Sequence, residues 1–180
     1  MIYFSFFLLG LTAVVFGIVF KKIFIELFPA LHFGAIYVPS SDEKMKIMMK
    51  YAAINPGERV IDLGSGDGRL VIAAAQEDAY AVGVELHVHM IRVSRQKIAE
   101  LHLEDHAEIK KENLWKTDVS DYDVIFVYGV TYMMNRLEKK LLAELKKGAR
   151  VVSNNYQFPH WKPVKEKGNV RRYTVFESLP

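Results

Sequence analysis

The chain reads as an α/β protein, a doubly wound, mostly parallel sheet, with a transmembrane helix at its N-terminus. Three observations lead there. Short apolar runs rich in β-branched residues alternate with amphipathic helical stretches between residues 42 and 153, the order that builds parallel strands joined by right-handed crossovers. A turn with alternating glycines, Gly64-Ser65-Gly66-Asp67-Gly68, links the first apolar run to the helix after it. Ile2 to Phe20 carries no charged residue and is followed at once by Lys21-Lys22.

The elements follow in order. At 1.5 Å per residue, Ile2 to Phe20 would span about 28 Å, close to the hydrocarbon thickness of a bilayer. It has no positive segment before it and no small-residue cleavage pattern after it, so the expectation is an anchor and not a cleaved signal. Lys21 and Lys22 on its C-terminal side place the rest of the chain in the cytoplasm or the mitochondrial matrix, on a single-pass protein of the cytoplasmic or organelle inner membrane. Phe24, Ile25, Leu27 and Phe28 continue the apolar character, so residues 1–28 are assigned to the anchor and its juxtamembrane extension, and 29–180 to the folded domain.

Ser40-Ser41-Asp42-Glu43 supplies a helix N-cap with acids in the first turn; Met45, Met48, Met49 and Ala52 recur on one face, and Asn55-Pro56-Gly57 stops the helix. Strand one is expected at Arg59–Asp62, with a helix from Leu70 to Gln76. Strand two is Tyr80–Glu85, followed by a helix from Met90 to Leu101. A short strand falls at Ala107–Lys110, and a strongly apolar one at Tyr122–Tyr128. Met133–Lys147 is amphipathic, with late lysines suited to the helix dipole and Gly148 as its cap. Ala149–Ser153 is a fifth strand. A hairpin turning at Gly168-Asn169 returns along Arg171–Glu177.

The glycine turn carries the chemistry. Small residues let the backbone approach a ligand closely, and a strand–glycine loop–helix unit binds a nucleotide-like molecule. The dinucleotide spacing would need a third glycine at Arg69, and a P-loop would need Lys-Ser or Lys-Thr after Gly68, where Arg69-Leu70 stands. An acid, Asp62, precedes the loop, and a second, Glu85, ends the next strand, where a carboxylate can accept hydrogen bonds from both ribose hydroxyls. Ligands on such sheets bind outside the carboxyl ends of the strands. Asp62, Glu85, Asn113 and Tyr128 all fall at or just beyond such ends.

The motif resembles motif I of the class I S-adenosyl-L-methionine (SAM) methyltransferases, which implies a Rossmann-like fold and SAM as cofactor. A carboxylate beside the loop suits an ammonium and a sulfonium and would repel a diphosphate. The resemblance narrows further along the chain. Tyr37-Val38-Pro39, Asn113-Leu114-Trp115-Lys116, Tyr122 to Gly129, Met133-Met134, Leu137 to Leu141, Gly148 to Val152 and Phe158-Pro159-His160-Trp161 come in the order found in the small membrane-anchored protein-lysine methyltransferases. Mitochondrial members of that family modify the adenine nucleotide translocase or the c-subunit of ATP synthase.

The family implies cofactor contacts at Asp62, Gly64, Ser65, Gly66, Gly68 and Glu85, and at Asn113 beside the adenine. Where the family usually has Asp, this chain has Asn113, whose carbonyl can accept from the adenine amino group. Leu86-His87-Val88-His89 replaces the family's Asn-Pro-Trp. Tyr37, Pro39, Tyr128, Phe158 and Trp161 are the candidates for an apolar substrate mouth, and no catalytic base is assigned.

Composition sets further bounds. With no cysteine among 180 residues, disulfides, thiolate metal sites and a cysteine nucleophile are excluded. His87-x-His89 and the His102/His106 pair lack further ligands, so no metal is expected. A formal charge of +3 is too mild to argue for nucleic acid and suits an anionic membrane surface. The expected partners are the bilayer, through residues 2–28, and a membrane-protein substrate. Two alternatives stay open: a methyltransferase of a lipophilic small molecule (a quinone or lipid), and a SAM-binding protein without catalysis.

Overall fold

The computed structural model of the protein describes residues 12–22 and 41–176. The chain divides into two compact units, residues 1–36 and 37–180. In the first, residues 12–22 are helical (α1) and exposed throughout. No helix among the described residues is long and apolar enough to cross a membrane. The expected span over residues 2–20 begins outside the described residues, as does the juxtamembrane stretch 23–28.

The second unit contains α2 (Asp42–Ala52), β1 (Arg59–Leu63), α3 (Arg69–Ala75), β2 (Tyr80–Glu85), α4 (Val88–Glu100), β3 (Ala107–Lys111), β4 (Val124–Val127), α5 (Thr131–Glu144), β5 (Arg150–Asn154), β6 (Lys165–Lys167) and β7 (Val170–Thr174). Its seven strands run in the order β3-β2-β1-β4-β5-β7-β6. β1 to β5 are parallel, and β7 and β6 add an antiparallel edge. The order reverses between β1 and β4, the crevice where such sheets bind ligands.

Strand alternation divides the core in two. Val60, Val124, Phe126 and Val152 face Met48 of α2, Val71 of α3 and Ile98 of α4. Ile61, Leu63, Ile125, Val127 and Val151 face Leu137 and Leu141 of α5 together with the segments around Leu114 and Phe158. The N-terminal edge of the sheet is tied by ions: Asp123 accepts the Arg59 N–H at 2.9 Å and pairs with Lys146 at 2.7 Å, and Glu58 pairs with Arg150.

Two expectations at this edge are corrected. Strand β4 spans Val124–Val127 and not Tyr122–Tyr128, with Asp123 just before it still bonded through its backbone to Arg59 at 2.8 Å and Arg150 at 2.9 Å. Helix α5 ends at Glu144 and not Lys147: Leu145 turns extended (φ −73°, ψ 141°) and is buried, Lys146 reaches Asp123, and Gly148 (φ +86°) lies beyond the helix in the turn to β5. Tertiary pairing overrides the helix propensity of the two lysines.

On β2, Gly83 lies opposite Asp62. A Cβ there would sit 2.6 Å from Ser65 Oγ and 2.7 Å from both Ser65 Cβ and Ile109 Cδ1. Gly83→Ala is therefore expected to lower stability by about 1–3 kcal/mol through overpacking. Urea unfolding measures it, and an unchanged midpoint would show that the loop gives way freely.

Candidate functional site

The glycine turn between β1 and α3 rests on β2. The N–H groups of Gly64 and Ser65 both donate to the Val84 carbonyl at 3.0 Å, and Gly68 N–H closes the turn on Ser65 O at 2.9 Å. Gly64, Gly66 and Gly68 have φ of +96°, +52° and +78°, left-handed values that other residues adopt only with strain. A Cβ on Gly64 would meet nothing within 4 Å, so open space adjoins the loop there, whereas one on Gly68 would strike Ser94 Cβ of α4 at 2.7 Å.

Glu85, at the end of β2, binds the loop. One carboxylate oxygen accepts Gly66 N–H at 2.9 Å; the other accepts Leu86 and His87 N–H at 2.7 and 2.8 Å. Three donors leave part of the acceptor capacity of the carboxylate for a ligand. Asp62 differs in every respect. It is 6% exposed and accepts no hydrogen bond among the described residues. Burial, with the charges of Glu85 and Asp67 adding to it, pushes its carboxyl up to about 8.

Asp67 is the complement. Burial alone would raise its carboxyl, but hydrogen bonds from Arg69 and Lys97 outweigh that and hold it down to about 2. Arg69 donates through two nitrogens at 3.0 Å each, and Lys97 Nζ of α4 lies at 2.8 Å. The clamp fixes the loop between α3 and α4. Sequence reading passed over it because an acid two residues before an arginine has no signature of its own.

The remaining candidates fall in different places. Ser65 contributes backbone only, because its buried hydroxyl turns toward Gly83 and has no hydrogen-bond partner. Asn113, two residues past β3, uses its side-chain oxygen to accept Trp115 N–H at 3.0 Å and so starts the turn 113–117. One lone pair of that oxygen is thus engaged, and the second remains able to accept from a ligand. That orientation follows from the hydrogen-bond geometry.

Tyr128 follows β4 directly, and its hydroxyl lies 3.5 Å from Asn155 Nδ2. Phe158 does not line an opening. It is 2% exposed, stands edge-on to Tyr173 at 4.8 Å, and belongs to the core on the α5 face, with Trp161 packed on the same two rings. The aromatic mouth expected from sequence is therefore not assembled from Tyr128, Phe158 and Trp161 together. Tyr37 and Pro39 lie outside the described residues.

The loop, the two carboxylates and the open space beside Gly64 suit a cationic nucleoside. An unpartnered buried carboxyl is costly unless a positive group arrives to pair with it, and no lysine or arginine of the loop points a free charge at a diphosphate. The cradle thus fits SAM.

Comparison with known proteins agrees. Residues 62–165 match the family model described as the ANTKMT methyltransferase domain. The ATP synthase C-subunit lysine N-methyltransferase of Xenopus laevis is 40% identical over 127 residues, 71% of this chain and 56% of that protein. A protein-lysine N-methyltransferase of Saccharolobus islandicus is 34% identical over 146 residues, 78% of this chain and 90% of that one. Among solved structures, an RNA methyltransferase from Salinibacter ruber in complex with S-adenosyl-L-homocysteine superimposes with a TM-score of 0.76 at 29% identity, covering 79% of this chain and 97% of that one. The chain spans about half the length of the vertebrate relatives that it matches. By its loop, its strand-end carboxylates and the match across most of the sheet, the chain belongs to the ANTKMT methyltransferase domain family.

Proposed function

We propose that this chain is a SAM-dependent protein-lysine N-methyltransferase whose acceptor is a membrane protein. The observation that carries the reading is the pair of acidic side chains flanking the glycine loop, one bound to three backbone N–H groups and one buried with no hydrogen bond among the described residues. Relatives named for lysine methylation support the acceptor class.

Bound SAM supplies a methyl group made electrophilic by its sulfonium. A neutral acceptor nitrogen would take that methyl, the C–S electron pair staying with sulfur and a proton passing from the product ammonium to water. The work of the protein is alignment and exclusion of water. Glu85 would hold the ribose hydroxyls, and the loop backbone would approach the amino-acid portion. The Asp67–Arg69–Lys97 clamp keeps that loop in one shape. A lysine must arrive neutral against a free pKa of about 10.4, which a desolvated mouth favours.

Membrane attachment is part of the proposal. Val14, Val15, Phe16, Ile18, Val19 and Phe20 are exposed on all sides of α1, and an all-round apolar helix is stable only when something apolar surrounds it. Lys21 and Lys22 then lie on the cytoplasmic or matrix side. That anchor serves a lipophilic small-molecule acceptor equally well, which keeps the second reading open.

The test is incubation of the full chain with methyl-labelled SAM and membranes from its own source. Acid-stable label on lysine in a protein band is the expected result. Label in the organic extract would favour a quinone or lipid, and label in RNA would move the assignment toward the Salinibacter relative.

A further inference from the structure

The C-terminal ends of β4 and β5 carry a polar cluster. At its centre is Asn155, the first residue after β5, with φ +74°, a left-handed backbone that asparagine adopts more readily than most residues. Its own N–H donates to the Asn169 carbonyl at 2.8 Å. Its side-chain oxygen accepts from Lys44 Nζ of α2 at 3.3 Å and from Asn169 Nδ2 at 3.1 Å, and its Nδ2 faces the Tyr128 hydroxyl at 3.5 Å. Arg171 reaches the Asn155 carbonyl at 3.4 Å. One side chain thus joins α2, the end of β4 and the β6–β7 turn.

The cluster adjoins the cofactor loop. Leu63 and Val127 are paired across β1 and β4, so Gly64 and Tyr128 leave the sheet side by side. We propose that Asn155 is a positioning residue for the methyl acceptor, holding the Tyr128 phenol and the Lys44 ammonium together where the amine arrives. The inference rests on the lysine-methylation reading and deepens it. A phenol oxygen can accept a hydrogen bond from a neutral amine and turn its lone pair toward the methyl group. A fixed ammonium disfavours a second cation beside it, so the hub selects the uncharged form of the incoming lysine.

The surroundings leave that charge in place. No carboxylate lies within ion-pair distance of Lys44 among the described residues. On its own helix, Asp42 faces Arg69 of α3 at 4.0 Å, and Glu43 is exposed. From β7, Arg171 is paired with Glu166 at 2.7 Å, and the neighbouring charge of Arg172 is that of Arg150. From β5, Arg150 is paired with Glu58 at the opposite end of the strand. Tyr128 is the titratable group from β4. The hydrogen bonds of the hub are long, as those of acceptor sites often are before the ligand tightens them.

Asn155→Gly separates positioning from folding, because glycine takes the left-handed backbone without strain. Its melting temperature and its affinity for S-adenosyl-L-homocysteine by calorimetry are expected to match the wild type, while kcat for protein methylation falls about tenfold or more. In Lys44→Gln, the pH at which the methylation rate rises is expected to move up by about 0.5–1 unit, as the acceptor loses its positive neighbour. A wild-type rate and pH profile in both variants would overturn the inference alone, as would a fall in rate matched by an equal fall in cofactor affinity. A wild-type protein that methylates no lysine overturns the reading of function, and this inference with it.

Discussion

At pH 8 the ligand-free Asp62→Asn protein is expected to be more stable than the wild type by on the order of 3–5 kcal/mol, a gap that closes toward pH 4. The Asp62 carboxyl stands at about 8 in the fold against 3.8 in an unfolded chain, because it is buried and faces the charges of Glu85 and Asp67. Between those values the folded state binds a proton that the unfolded state has lost, so the contribution of Asp62 to stability is greatest below pH 4 and declines until pH 8. An asparagine of the same shape carries no proton to lose. Urea unfolding of both proteins at pH 5, 6.5 and 8 measures the difference, and parallel curves would refute the assignment. The same variant should bind SAM more weakly. In the wild type near neutral pH, a cationic ligand converts the neutral acid to a carboxylate, and binding releases close to one proton. Calorimetry in buffers of different ionisation enthalpy reads that proton directly, and in Asp62→Asn it should vanish.

Glu85→Ala is expected to weaken binding of S-adenosyl-L-homocysteine by about 1.5–3 kcal/mol, or roughly 10- to 150-fold. Two losses combine. The ribose loses a charged acceptor, and the N–H groups of Gly66, Leu86 and His87 lose the carboxylate that now holds the turn in shape. Glu85→Gln should fall between the two, since one amide oxygen can keep part of the bonding but no charge. An affinity within twofold of the wild type in the alanine variant would remove Glu85 from the site.

What the sequence made legible was the part governed by local rules. The alternation of short apolar runs with amphipathic stretches yields the strand sequence of the parallel sheet, and the alternate glycines mark the three left-handed positions of the loop. Val124 to Val127 is buried at every position, as a central parallel strand should be. The expectations that changed are those decided by distant partners. Lys146 and Lys147 favour a longer α5, but Asp123, far away in sequence, draws Lys146 out of the helix. Phe158 and Trp161 have the composition of a ligand-stacking pair, yet the buried Tyr173 collects both into the core. Asn155 was invisible for the same reason. Nothing in Asn154-Asn155-Tyr156 signals that α2 and the β6–β7 turn converge on it. Ser65 shows the limit of a motif: its place in the loop follows from the glycine spacing, and the direction of its hydroxyl follows from Gly83 on another strand.

The two rims of the sheet have a consequence for behaviour at high density. β6 is three residues long, Lys165-Glu166-Lys167, and wholly exposed; at the far side, β3 carries Glu108 and Lys111 outward. Short, charged outer strands offer a poor template for strand addition from a neighbouring molecule. Copies at high concentration can therefore pass one another without zipping edge to edge into aggregates.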